Sequence, residues 1–224
     1  MQVFADLVNF LTGAPVMIGL LLTALIIYVA ADWRVALSAL LVQYILVGLA
    51  LVDAVQLEFV IVRILTGFLV TAILYLSARR IPVGGNGTEG ETGPHILGLH
   101  VGWLAGPLGF PLRLMASLLV VLLVVNVFQS YTLESVPMGL ALMAFWMAGM
   151  GMLGLVLSGH PLRAALAAMT FLAGFDLVFT ALEPGLALVG FLSAFYLLAA
   201  LGFAYLITAQ SLAGTSTGGR ETGE

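Results

Sequence analysis

Seven runs of this chain, each about long enough to cross a lipid bilayer, follow one another with little between them but Gly, Pro and charged punctuation. A hydrocarbon core of about 30 Å needs roughly 17 to 25 apolar residues in a helix. The runs fall at 14–31, 35–52, 56–78, 111–130, 136–158, 161–182 and 184–209. The stretch from Leu118 to Val125 holds only Leu and Val, without the alternation that lets a barrel strand separate lipid from lumen. Composition agrees, since 62% of the 224 residues are hydrophobic and 8% charged, against about 25% charged in a soluble domain. The expected fold is an all-α integral membrane protein with about seven transmembrane helices.

The same composition removes classes of function. Without cysteine there is no thiolate-ligated iron–sulfur cluster, no Cys-type zinc site, no catalytic thiol and no disulfide. All seven cations are Arg, so no lysine can form a retinal Schiff base. A net charge of −4 leaves no nucleic-acid footprint. The three histidines, His95 and His100 in a loop and His160 at a helix start, have neither haem nor metal-site spacing. No cofactor or metal is therefore expected, and His160 and Arg163 read as interfacial residues at the start of the sixth span.

Laying out the seven spans sorts the charges. Arg34, Arg79, Arg80, Arg113, Arg163 and Arg220 fall on one side, and Asp6, Asp53, Glu134 and Glu183 on the other with no cation. Because positively charged loops stay in the cytoplasm, the N-terminus is expected outside and the C-terminus inside. Six segments follow: an interfacial lead-in (1–13), a three-helix unit (14–78), a connection (79–110), a fourth helix with its outer loop (111–135), a closing three-helix unit (136–209) and a disordered tail (210–224). Within the connection, residues 83–94 are Gly-rich and polar, without the Lys of a phosphate-binding Walker loop. The following stretch is apolar with Trp103 and reads as re-entrant or interfacial.

Ionisable residues inside a span are costly and mark candidate sites. Arg63 lies about 10 Å and Asp176 about 9 Å from the outer ends of their spans at 1.5 Å per residue. An Arg63–Asp176 ion pair is expected, and Glu58 and Asn126 fall in the same outer third. Such a cluster is either a static interhelix clamp or a piece of a proton or ion path. Only Gln43, Tyr44, Thr170, Ser193 and Tyr196 lie near mid-membrane, which is too few for a complete proton wire. In the fifth span Ala144, Ala148, Gly149, Gly151 and Gly154 stand among Met147, Met150 and Met152. Small residues such as Ala148, Gly151 and Gly154 let another helix approach closely, within the chain or from a second subunit.

The layout of three spans, a break at Arg79-Arg80-Ile81-Pro82, a fourth span and a closing three-span unit resembles hydrogenase-4 component E. The closing unit is similar to the small three-helix K-type subunit of complex I and of multisubunit cation/proton antiporters. The local likeness lies in Gly149-Met-Gly-Met-Leu-Gly-Leu-Val-Leu-Ser158 followed by Gly-His-Pro-Leu-Arg163. The resemblance implies a noncatalytic subunit of an energy-converting oxidoreductase in a prokaryotic cytoplasmic membrane, partnered by antiporter-like and other membrane subunits. It departs from the family where the K-type glutamate would stand, since Leu172 occupies that position and Asp176 lies one turn on. The family's basic residue in the third span aligns near Thr66, three residues after Arg63. The alternatives from other classes are a stand-alone small-solute or ion transporter and a membrane scaffold for a peripheral enzyme.

Overall fold

The computed structural model describes residues 14–30, 32–52, 56–79, 95–96, 99–100, 109–130, 136–183 and 185–217. The lead-in, the Gly-rich stretch, Trp103, Asp53, Arg80, Glu134 and Arg220 lie outside them. Seven helices cover the seven apolar runs: α1 (Ala14–Val29), α2 (Trp33–Ala50), α3 (Leu57–Arg79), α4 (Gly109–Ser130), α5 (Met138–Val156), α6 (Pro161–Leu182) and α7 (Leu186–Thr217). Five of them contain stretches long and apolar enough to cross a membrane: 33–50, 57–79, 138–156, 161–182 and 187–210. Shorter apolar stretches occupy 15–29 of α1 and 113–127 of α4. This is a helical membrane protein.

Local chemistry sets the boundaries. Asp32 caps α2, its carboxylate accepting from the Arg34 amide at 2.9 Å, which satisfies one of the four N–H groups a helix start leaves open. His160 does the same for α6, accepting from the Leu162 amide at 3.3 Å through Nδ1. Pro161 follows in the first turn, where a missing N–H costs nothing. Inside the helices Thr66, Thr71, Ser77 and Thr170 return their hydroxyls to the carbonyl four residues back, so no polar group is presented to lipid there.

One expectation changes. The last helix continues to Thr217, beyond the point at which residues 210–224 were expected to be disordered. Polarity marks where a helix leaves lipid but does not by itself end the helix, and Leu212 and Ala213 continue the helical pattern. In the long connection, two residues pair antiparallel with two others, His95 opposite His100 and Ile96 opposite Leu99.

Helix α6 is the centre. Of its membrane-length window 61% is buried, against 17% for α7, and both apolar cores are built on it. One core gathers α1, α4 and α5 against Ala173 and Leu177. The other gathers α2, α3 and α7 against Leu162, Leu166 and Met169. The most intimate pair is α5 and α6. A Cβ on Gly151 would stand 2.4 Å from the Phe171 backbone nitrogen, and one on Gly174 would stand 2.8 Å from the Ala148 nitrogen. The small-residue face of α5, with Ala148, Gly151 and Gly154, is therefore used inside the chain. Tilting α5 onto α6 also brings the Trp146 indole N–H to the Leu21 carbonyl of α1 at 3.2 Å.

Candidate functional site

Arg63 and Asp176 are buried at 6% and 1% exposure, and they meet. One terminal nitrogen of Arg63 pairs with Asp176 Oδ1, and the other donates to Thr180 Oγ1 at 3.0 Å. The Thr180 hydroxyl sits 3.5 Å from the same carboxylate oxygen, the outer limit for donating to it. Asp176 and Thr180 are four residues apart on α6 and so lie on one face, one above the other. Six residues separate Arg63 from the start of α3 and six separate Asp176 from the end of α6, giving both a depth of about 9 Å. The backbone of α3 packs mainly on α2 and α7 rather than on α6. The long arginine side chain is what closes the distance.

The energetics explain why neither residue is found there alone. An isolated charge in low dielectric is costly, and two opposed charges with added hydrogen bonds recover most of that cost. Recovery is incomplete on the acid side. Asp176 Oδ2 is buried without a protein hydrogen-bond partner among the described residues.

On the mid-membrane side of the pair lie two tyrosines. Tyr44 of α2 and Tyr196 of α7 meet edge to face, with ring centroids 5.9 Å apart and planes at 83°, a favoured arrangement of ring quadrupoles. Both stand within electrostatic reach of Arg63. The Tyr44 hydroxyl donates to Met169 Sδ at 3.7 Å, a weak acceptor. The Tyr196 hydroxyl and both amide atoms of Gln43 are buried without protein partners among the described residues. Gly67 makes this arrangement possible, because a Cβ there would stand 2.4 Å from the Tyr44 side chain. Gln43, Tyr44, Thr170 and Tyr196 are thus buried, and Ser193 is half-buried.

The other sequence candidates are placed elsewhere. Glu58 is exposed at the start of α3, one turn nearer the helix end than Arg63. Asn126 is exposed on α4, a helix that packs on α5 and, less extensively, on α1. Depth along a span fixes height but not direction, and these two lie in the same outer third as the pair without sharing its face. Thr180 is the residue the sequence reading missed; its signal is the i, i+4 spacing from an intramembrane acid. Chemically, the arrangement holds one carboxylate charge inside an apolar bundle, with a fixed cation, a hydroxyl donor and one oxygen left over for water or a proton.

No protein-family model, no curated protein and no solved structure matches this chain.

Proposed function

We propose that the chain is a noncatalytic membrane subunit of an energy-converting, complex I-like oxidoreductase of the membrane-bound hydrogenase kind. All seven helices cross a prokaryotic cytoplasmic membrane, with the N-terminus outside. Beside antiporter-like subunits, the Arg63–Asp176 pair contributes to a lateral polar axis that carries ion translocation. The observation that carries this reading is the buried pair itself, with Asp176 Oδ2 lacking a protein partner in the outer part of the bundle. Intramembrane ionisable residues of this kind mark ion pathways. A second support is the apolar outer face of α7, where Phe191 and Tyr205 are more than 70% exposed, as suits a bundle covered by lipid or hydrophobic subunits. The resemblance in span layout supplies the class of complex.

The test is a mild-detergent pull-down of the tagged full chain from its own membranes, read by native gel and mass spectrometry. Co-purification in fixed ratio with antiporter-like and metal-cluster subunits is expected. A solitary species under conditions that preserve other membrane complexes would overturn the proposal and direct attention to transport. In the intact complex, the charge-balanced R63Q/D176N variant should assemble and lose coupled ion movement; assembly with normal ion movement would end the ion-path reading.

A further inference from the structure

The connection between α3 and α4 holds a feature unrelated to the ion pair. Within it the backbone turns back on itself, so that residues 95–96 and 99–100 run antiparallel, with His95 opposite His100 and Ile96 opposite Leu99. Read along the chain, two histidines five residues apart share no face of a helix, since 3.6 residues per turn leaves them about 140° apart. On the paired strands they stand at opposed positions of one face.

Opposed pairs in an antiparallel ladder alternate between a hydrogen-bonded kind and a closer, non-hydrogen-bonded kind. Two residues, 97 and 98, join these strands. The pair flanking such a turn, Ile96 and Leu99, is of the hydrogen-bonded kind, which makes His95–His100 the closer one, with Cβ atoms about 4.5–5.5 Å apart. Two imidazole nitrogens bound to one tetrahedral ion at about 2.0–2.1 Å stand about 3.4 Å from each other. Two rings mounted at the first separation can meet the second.

The chemistry of the segment favours a cation. Imidazole is a preferred ligand of zinc, nickel and copper. Between Arg80 and Arg113 the sequence has no Arg or Lys, and its formal charges are those of Glu89 and Glu91. A two-stranded hairpin is marginal in water on its own, so an ion bound only when the two histidines are opposed stabilises the pairing itself. We infer that His95 and His100 form a binding site for one divalent transition-metal ion of the imidazole-preferring class, zinc, nickel or copper, on the hairpin between α3 and α4. The two rings supply half of a tetrahedral shell and leave the other positions to water. The site stands whether or not the Arg63–Asp176 pair moves ions.

The test uses the purified full chain in detergent, carried on a tag without histidine, and titrates it by isothermal calorimetry with nickel chloride and separately with magnesium chloride. One nickel ion per chain is expected, and no heat from magnesium, a hard ion that takes oxygen ligands. His95→Ala and His100→Ala should each weaken nickel binding at least about tenfold, and the double variant little further, because both rings act on one ion. The H100V/V101H exchange keeps all three histidines but moves one to the opposite face of the ribbon, and it should weaken binding as much as His100→Ala. His160→Asn, which leaves a good capping residue at the start of α6, should bind nickel as the unsubstituted chain does. No nickel binding by the unsubstituted chain would overturn the proposal, as would full binding by H100V/V101H. Loss in His160→Asn with His95→Ala unaffected would overturn it too, moving the metal to α6.

Discussion

Asp176 and Thr180, one turn apart on α6, share a single cation, the guanidinium of Arg63 reaching across from α3. Because both terminal nitrogens of that group are engaged, the three residues form one unit. Removing one charge leaves the other buried and unbalanced, at a cost of about 3–5 kcal/mol. Asp176→Asn and Arg63→Gln should each lower the melting temperature in detergent strongly. The R63Q/D176N double variant should recover most of the loss, a coupling that a double-mutant cycle reads directly. Additive losses would mean that the pair is not the stabilising contact.

The seam between α5 and α6 makes a sharper prediction. Gly151→Ala places a methyl carbon against the Phe171 backbone, which no rotamer change can relieve, so the helices must separate at a cost of about 1–3 kcal/mol. Gly190→Ala meets nothing within 4 Å and should stabilise α7 by about 0.5–1 kcal/mol through helix propensity. Thermal melts of the two variants side by side should move in opposite directions.

Gln43 is wholly buried with both amide atoms lacking a protein partner among the described residues. If nothing else satisfies them, Gln43→Leu removes an uncompensated desolvation cost and should raise stability by about 1–2 kcal/mol. A fall in stability would reveal that the amide is engaged by bound water, and would add Gln43 to the polar groups around Tyr44.

Trp146→Phe keeps an aromatic ring in the core and deletes the N–H that the Leu21 carbonyl accepts. The lost hydrogen bond and the smaller ring together should cost about 1–2 kcal/mol. Hydrogen exchange should show the neighbouring turn of α1 opening more readily, since that carbonyl ties α1 to α5.

Much of the architecture was legible because apolar runs of bilayer length are separated by Gly, Pro and charged residues. His160 and Pro161 mark the start of α6, and Arg34, Arg79, Arg113 and Arg163 sort to one end. The height of Arg63 and Asp176 followed from counting residues. What the sequence withheld was direction around each axis. In a soluble helix an apolar stripe marks the inner face, but α3 and α4 are apolar all round, so nothing told Arg63 from Glu58 or placed Asn126 on an outer surface. The same uniformity hid the role of Gly151 and Gly154, whose partner was the next helix of the same chain.

The reach of Arg63 toward α6 also sets a clock on the birth of the protein. Thr180 lies 117 residues further along the chain, and at roughly 5–20 residues per second a ribosome delivers it about 6–23 s after Arg63. For that interval the third helix is in or beside the bilayer with its cation unmatched. Whatever receives the nascent chain must shelter that helix until the sixth arrives.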